Sequence, residues 1–341
     1  MKKLIPTRVR PNERGAVIIW TAFFLVFMLG FVALGIDVAK LMATRTQLQN
    51  AADAAALAGA SAIDFDSGTI RPDSAQIRAQ YTAAQNKAFV TAPQPVLLLA
   101  GDISYPTPQQ VKVTVRRSPG AGGSMVTHVA QVLGITSLEV SATATAQIEP
   151  AGSVCEGLIP MAPIADPAAP FEVSCTKTYD LKVDSDGLAM SGNYQLLQFP
   201  DCTEGPCGGV SGGGGAAIRC QTENGYGCCV NLNDQWTVTQ PGNKVGPFTK
   251  GMEARWDSDT DRRNNICYDQ YAGNDKRVVF LPIVETFDVS GKKVVKVVSF
   301  AAFFLTTRPV GSSMVGQFIY ETVPGEPGGG GGTLFTIRLI K

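Results

Sequence analysis

Histidine is nearly absent from this chain, because its 341 residues include only one, His128. The general base of an enzyme is most often a histidine, and it needs its proton donor within hydrogen-bond reach. A single histidine on a short predicted helix, in the half of the chain without cysteine, predicts neither a Ser-His-Asp nor a Cys-His catalytic group. We expect His128 to be a solvated helix residue.

The signatures of nucleotide and zinc sites are missing as well. The sequence contains no GxxxxGK[ST] phosphate loop and no Rossmann glycine set after a strand. Paired CxxC knuckles are absent, although Cys202-x4-Cys207 and Cys220-x7-Cys228 have a loosely similar spacing. The sequence therefore predicts a protein that is not an enzyme and carries no cofactor.

One acidic motif resembles the start of a calcium loop. Asp257, Asp259 and Asp261 place three carboxylates two residues apart. A calcium loop of the EF-hand type needs Gly at position 6 and Glu at position 12, where this chain has Arg262 and Tyr268. The three aspartates are a weak calcium candidate, and a solvated acidic turn is the better interpretation.

The charge balance argues against a nucleic-acid binder, since Lys plus Arg and Asp plus Glu number 29 each. The basic side chains are nevertheless concentrated at the start of the chain. Residues 1–15 carry five basic side chains and one acidic side chain, a local charge of +4. A basic head before an apolar run is a signal of membrane topology.

Charged side chains are completely missing from residues 16–36, which read AVIIWTAFFLVFMLGFVALGI. At the rise of an α-helix these residues span about 31 Å, the thickness of the bilayer's hydrocarbon core. We predict a transmembrane helix, with residues 1–15 in the cytoplasm and the rest of the chain outside it. A cleaved signal peptide is the alternative, but its apolar region usually has only about 7–15 residues.

Cysteine is absent before Cys155, and all eight cysteines fall between Cys155 and Cys267. An even number behind a membrane signal indicates disulfides in an oxidising compartment. We predict four disulfides, in which the adjacent Cys228 and Cys229 bond to different partners because vicinal pairing has unfavourable geometry. The candidates are Cys155, Cys175, Cys202, Cys207, Cys220, Cys228, Cys229 and Cys267. The sequence leaves their pairing open.

The apolar helix is expected to continue beyond the membrane. Residues 37–62 are rich in Ala, Leu, Met, Gln and Arg and contain no proline, so the helix should reach about Gly59. Its second half presents a stripe of small residues. Either another protein or the chain's own domain could pack closely on that stripe.

Three stretches of this helix form a distinctive pattern: Glu13-Arg14-Gly15 before the span, Gly35-Ile36-Asp37-Val38 after it, and the polar string that runs from Gln47 to Ala58. With them, about residues 13–60 resemble the N-terminal segment of the TadE/TadG-like proteins of Flp pilus assembly. A looser similarity extends to about residue 150.

One position departs from the pattern of pilin-type precursors. Such precursors usually place a Glu five residues after the Gly at which they are cut, whereas here that position is Trp20. Cleavage after Gly15 and a role as a major pilin are therefore not predicted.

Beyond the anchor the sequence predicts an α+β arrangement. The expected elements are a helix from about Ala75 to Val90 ended by Pro93 and Pro95, a strand near 110–117, a helix from Met125 to Gly134 and a strand near 138–148. The two strands alternate apolar with polar residues, which indicates one buried and one exposed face.

From Cys155 the chain becomes rich in Gly, Pro, Asn and Asp, and a mainly antiparallel β domain is expected. Val278–Val289 and Val294–Thr307 predict a β-hairpin, and two more strands are expected at Phe318–Val323 and Thr333–Ile340. The predicted fold class is thus α+β: a long N-terminal transmembrane helix, a small α+β domain, and a disulfide-rich β domain.

The sequence predicts four segments: a cytoplasmic basic tail (1–15), a transmembrane helix (16–36), an extended helix with a small α+β domain (37–152) and a cysteine-rich, mainly β domain (153–341). The resemblance implies a non-enzymatic, membrane-anchored component of Tad/Flp-type pilus assembly in the bacterial inner membrane, with its C-terminal domain periplasmic or extracellular. Expected partners are membrane lipid and other pilus-assembly or envelope proteins, not nucleic acid. The alternative is an envelope adhesin or binding module with a pilus-type anchor.

Overall fold

The computed structural model describes residues 13–89, 92–164, 171–182, 193–210, 213–232, 238–241, 244–286, 291–329 and 331–340. Most of the predicted basic tail therefore lies outside the described residues. The helices are α1 (Glu13–Ala60), α2 (Pro72–Gln85), α3 (Gly215–Asn224) and α4 (Val245–Asp257), with 3-10 helices η1 (Ala100–Asp102), η2 (Ala130–Leu133) and η3 (Tyr268–Gln270).

Seventeen strands accompany these helices within the described ranges. They are β1 (Lys87–Phe89), β2 (Pro93–Pro95), β3 (Ile103–Ser104), β4 (Gln110–Arg117), β5 (Met125–Val126), β6 (Ser137–Leu138), β7 (Val140–Pro150), β8 (Ser153–Val154), β9 (Tyr179–Lys182), β10 (Asn193–Gln198), β11 (Val230–Asn231), β12 (Val238–Pro241), β13 (Val278–Val284), β14 (Val297–Leu305), β15 (Ser313–Ile319), β16 (Glu321–Thr322) and β17 (Leu334–Ile340).

The described residues form two compact units that interleave in sequence. The first draws on Met1–Ala55, Ala79–Ile103 and Val113–Ala144, and the second on Ala56–Arg78, Ser104–Lys112 and Thr145–Lys341. The division falls inside α1, α2, β3, β4 and β7, so each unit takes part of the N-terminal half. The four-segment organisation expected from the sequence stays a prediction.

Helix α1 has 48 residues, about 72 Å at the rise of an α-helix, and it confirms the predicted continuation beyond the apolar run. Its first half exposes large apolar side chains, among them Phe23 and Phe31. Its second half is enclosed, because Leu48, Ala52 and Ala55 have no exposed surface. The small-residue stripe therefore packs within this chain.

Helix α2 differs from the prediction of a helix from Ala75 to Val90. It begins at Pro72, because the fixed φ of proline suits the first position of a helix, and it ends at Gln85. The Asn86 side chain donates to the carbonyl of Thr82 at 2.9 Å and thereby satisfies one of the last helical carbonyls.

The prolines expected to end that helix belong instead to a small hairpin. β1 and β2 pair antiparallel, with Ala88 opposite Gln94. The buried Arg117 holds them, since its Nη2 donates to the carbonyls of Ala88 at 2.8 Å and Gln94 at 2.7 Å. A distant side chain therefore decides the structure of this segment, and sequence periodicity did not indicate it.

The predicted helix from Met125 to Gly134 is wrong. β5 pairs antiparallel with β6, and only the short 3-10 helix η2 lies between them. Gly134 ends that turn in the left-handed region at φ 83°, which glycine adopts without strain. Because Met125 and Val126 pair with β6 and Gly134 ends the turn, only a short turn is left between the two strands, and its first N–H groups bond to the Asp37 side chain on α1.

The predicted strands near 110–117 and 138–148 are confirmed as β4 and β7, and both alternate buried with exposed positions. They belong to a five-stranded sheet of order β16–β17–β7–β4–β3. Within the second unit β7 and β17 pair antiparallel, with Ile148 opposite Ile337.

The predicted hairpin is confirmed as β13 and β14, which pair antiparallel, although residues 287–290 of its connection lie outside the described residues. These strands lead a second sheet of order β13–β14–β15–β9. Side chains of β14 point alternately into two cores, with Ala302 and Phe304 in one and Phe303 and Leu305 in the other. Burial on both faces explains the nearly continuous apolar sequence of β14.

Two helices in the cysteine-rich part were not predicted. α4 buries Phe248, Met252 and Trp256, spaced four residues apart, on one face. Gly251 permits a close approach to α3, because a Cβ there would lie 2.7 Å from the Cβ of Thr222. Burial of these side chains stabilises the helix, although the glycine-rich composition of this part of the chain disfavours helix formation.

The strand expected at Phe318–Val323 is divided between the two sheets. β15 continues the sheet of β14, whereas β16 pairs in parallel with β17. The break falls at Tyr320, whose N–H donates to the carbonyl of Phe65 at 2.8 Å. The predicted strand at Thr333–Ile340 is confirmed as β17.

Candidate functional site

The first half of α1 has the properties of a membrane anchor. By length and composition alone, Val17–Ala60 contains the one stretch of the described chain able to cross a membrane. Trp20, Phe23, Phe27 and Phe31 form a continuous row along it, with ring centroids 6.5, 6.0 and 5.4 Å apart. A helix of this length and composition is compatible with a membrane anchor.

Asp37 follows this apolar run directly and is 4% exposed. Its carboxylate accepts three backbone N–H groups, from His128 at 2.9 Å, Val129 at 2.8 Å and Ala130 at 3.0 Å. These hydrogen bonds, that of His128 foremost, lower the pKa of the carboxyl below its usual range. The sequence indicated this residue only as part of the pattern Gly35-Ile36-Asp37-Val38 after the span.

His128 lies exposed at the same place, as expected of a solvated residue, although it precedes a 3-10 turn and not a helix. Its Nε2 is 2.8 Å from the Nζ of Lys40, one turn beyond Asp37 on α1. Within the described residues its ring has no hydroxyl or thiol partner, because Lys40 Nζ is the only side-chain atom bonded to it.

The polar string of the family pattern has structural partners in the first unit. Gln47 accepts the backbone N–H of Phe89 at 3.0 Å. The amide of Gln49 donates to Asp53 at 2.8 Å and to the carbonyl of Thr143 at 3.3 Å. These side chains position α1 against neighbouring backbone, which explains polar residues at regular places on an otherwise small-residue helix.

The eight cysteines form four disulfides, which confirms the predicted framework and leaves no free cysteine. The pairs are Cys155–Cys229, Cys175–Cys267, Cys202–Cys228 and Cys207–Cys220. The adjacent Cys228 and Cys229 bond to different partners, as expected. Cys175, Cys267 and Asp269 also lie close enough to suggest a metal site, but the two sulfur atoms are bonded to each other.

Of the three calcium-candidate aspartates, Asp257 ends α4 and the other two lie in the bend that follows, and other groups occupy their oxygens. Asp257 is paired with Arg308 at 2.9 Å. Asp259 accepts the hydroxyl of Tyr271 and the backbone N–H of Asp261.

Asp261 has the strongest ion pair of this bend, with Arg263 at 2.6 Å. It also accepts the backbone N–H of Ala272 at 3.0 Å. Both contacts, the pair with Arg263 first, hold the pKa of the Asp261 carboxyl well below its usual range. Calcium would have to displace these donors, and the calcium candidate stays a prediction.

A fully buried arginine completes the bend. The Arg277 guanidinium lies 4.2 Å from the ring centroid of Trp256 and 4.6 Å from that of Phe304. Its Nη1 donates to the carbonyl of Asp261 at 2.8 Å, and its backbone N–H donates to Asp259 at 3.1 Å. The aspartates thus belong to a hydrogen-bonded network that joins α4 to β13.

Comparisons with known proteins agree with the N-terminal resemblance. Comparison with the curated proteins and with the solved structures gives no match. The family model described as "Putative Flp pilus-assembly TadE/G-like" matches residues 15–62. This match covers the apolar half of α1, Asp37 and the polar string, so the predicted family resemblance is confirmed for the anchor segment, and it supports a role related to Tad/Flp pili.

Proposed function

We propose that this protein is a non-enzymatic, membrane-anchored component of Tad/Flp-type pilus assembly in the bacterial cell envelope. The observation that carries the proposal is the family match at residues 15–62, because it coincides with the membrane-compatible half of α1 and the Asp37 contact. Its partners would be membrane lipid and other pilus-assembly or envelope proteins.

The proposed location is the inner membrane, with the N-terminus in the cytoplasm. The basic residues before the span support this orientation through the positive-inside rule. Four disulfides support a domain outside the cytosol, where thiols remain oxidised.

A structural role agrees with the placement of the one histidine. His128 faces Lys40 at the surface, and among the described residues its ring bonds to no hydroxyl or thiol. The buried charged groups near Asp261 are engaged with arginine and backbone. We therefore propose an assembly function and no catalytic one.

Gene deletion tests this proposal, with Flp pili counted by electron microscopy and surface attachment measured in parallel. We expect pili to be lost on deletion and restored by the full chain. A matched variant carries an unrelated transmembrane helix in place of residues 16–36 and keeps Asp37 onward. If this variant also restores the pili, the role of the span is to tether the protein to the membrane.

The adhesin alternative predicts another outcome. Intact pili together with lost attachment after deletion would contradict the assembly function and favour an envelope binding module with a pilus-type anchor. Intact pili and unchanged attachment would contradict both functions.

A further inference from the structure

A cleft of about 1010 Å³ lies within the second compact unit. Its walls include backbone at Gly157 and Gly225, where glycine is required because a Cβ on Gly225 would lie 2.6 Å from the Cα of Gly157. A Cβ on Gly157 would in turn meet the ring of Phe280 at 2.8 Å. The volume is at the upper end of the range of about 300–1,000 Å³ that is usual for ligand sites.

Glu321 on β16 contributes a partly buried carboxylate to this cleft. It accepts the hydroxyl of Tyr268 at 3.3 Å and the backbone N–H of Thr322 at 2.9 Å. Within the described ranges no Lys or Arg lies at ion-pair distance, since the nearby Arg78 donates to Ser61 instead. Burial raises the pKa of the Glu321 carboxyl, and the charge of Arg78, which forms no ion pair with it, offsets this effect only in part.

Arg255 on α4 contributes the opposite charge to the same cleft and is 7% exposed. Its Nε donates to the carbonyl of Glu223 at 3.1 Å and its Nη1 to the carbonyl of Val278 at 2.8 Å. Burial lowers the pKa of Arg255 to about 10, so it remains cationic at neutral pH. No carboxylate in the described part of the chain forms an ion pair with it.

The other charged residues of the cleft are exposed, so water screens them. They are Arg78, Glu156, Glu204, Asp275 and Lys276. Glu321 and Arg255 are different, because Glu321 is partly buried and Arg255 is buried, and neither forms an ion pair among the described residues. A buried charge of this kind is costly unless it is paired, and a ligand can supply the pair.

We propose that the cleft binds a peptide segment of a partner protein, with a basic group of the peptide at Glu321 beside Tyr268 and an acidic group at Arg255. The face of a tyrosine ring attracts a cation, and the guanidinium fork matches a carboxylate. This inference goes beyond the pilus role and does not depend on it.

Titration calorimetry on the full chain in detergent micelles tests the inference. The probes are Nα-acetyl-lysine followed by one to four glycines with a free C-terminal carboxylate. Each probe is compared with its Nζ-acetylated form, which lacks the cation, and with its C-terminal amide, which lacks the anion. We expect saturable binding of at least one probe, weakened at least about tenfold by either change.

Glu321→Gln is the decisive variant, because its amide oxygen can still accept the hydroxyl of Tyr268. We expect it to abolish the preference for free over acetylated lysine. Glu285→Gln is the control, since Glu285 is exposed and lies outside the cleft lining. An unchanged circular dichroism melt verifies that both variants fold.

Three results would overturn the proposal. They are no saturable binding of any probe up to about 10 mM, equal binding of free and acetylated lysine, and an unchanged preference in Glu321→Gln. Binding that depends on the carboxylate of the probe but not on its lysine would leave Arg255 as an anion site. It would refute the assignment of the basic group to Glu321.

Discussion

The carboxylate of Asp37 accepts the backbone N–H of Val129, 92 residues later in the chain, at 2.8 Å. Asp37 is the first residue after the apolar run, and Val129 belongs to the turn after β5. Within the first compact unit, the end of the predicted membrane span is therefore hydrogen-bonded directly to a turn that is distant in sequence. Asp37 lies inside the segment that matches the pilus-assembly family.

Asp37→Ala should loosen the turn that Asp37 holds. Three backbone N–H groups would lose a charged acceptor, and hydrogen bonds to charged groups are stronger than neutral ones. We expect hydrogen-exchange protection at residues 128–130 to fall at least about tenfold. Asp66→Asn is the control, because Asp66 is exposed. Unchanged protection in Asp37→Ala would show that the carboxylate does not hold the turn.

The N-terminus of the chain should lie in the cytoplasm and its C-terminus on the other side of the inner membrane. Alkaline phosphatase fused after Lys341 should be active, because that reporter folds only where disulfides form. Neutral replacements of Lys2, Lys3, Arg8 and Arg10 should mix the orientation. A well-expressed but inactive fusion would contradict the predicted topology.

The mature protein should keep its anchor. Mass spectrometry of membrane-extracted protein should give the mass of the full chain, with or without Met1. A soluble product that begins near Ile36 would identify a cleaved signal peptide instead. A product that begins at Ala16 would show that the chain is cut after Gly15, as pilin-type precursors are, despite Trp20.

The purified protein should show no free thiol until it is reduced. Reduction should add eight hydrogen atoms, two for each of the four disulfides. Each bridge typically contributes about 2–4 kcal/mol, against a total stability of about 5–15 kcal/mol for a domain. Several free thiols in the unreduced protein would contradict the disulfide framework.

Reduction should also act locally. Limited proteolysis of the reduced protein should cleave within residues 155–267 before it cleaves within 113–144, which contains no cysteine. The unreduced protein is the control. Simultaneous cleavage of both segments would argue against independent stability of the two regions.

The bend at Asp261 should lose stability in acid. Its pKa is lower in the folded protein than the ordinary 3.8, chiefly through Arg263, so its contribution is complete above that value. The contribution is lost as the pH falls below 3.8 towards the lowered pKa. Asp261→Asn should therefore lower the melting temperature at pH 6, and the difference from the natural chain should shrink as the pH approaches 3. Asp66→Asn should show no such pattern, and an equal difference at both pH values would contradict the ion pair's role.

The sequence was most informative where structure depends on local composition. An uncharged run followed by strong helix formers predicted α1, because each backbone group bonds within the helix whatever lies around it. Alternation of apolar and polar residues likewise predicted β4 and β7. The number and confinement of the cysteines predicted four bridges.

Prediction failed where distant groups decide local structure. The segment from Met125 to Gly134 has helical composition, but Met125 and Val126 pair with β6, so only the short 3-10 helix η2 lies between the two strands. Helix α4 contains Gly251 and has a weak intrinsic helix propensity. Burial of Phe248 and Trp256 against the sheet nevertheless stabilises it. Neither outcome can be read from a window of neighbouring residues.

The sequence by itself therefore determined the membrane-compatible helix, the family resemblance at the anchor and the presence of a disulfide framework, because these depend on local composition and spacing. The tertiary structure decided the pairing of the cysteines, the acceptor role of Asp37 and the meeting of Glu321 with Arg255 in one cleft. These depend on contacts between residues far apart in sequence, whose energies exist only once the chain has brought them together.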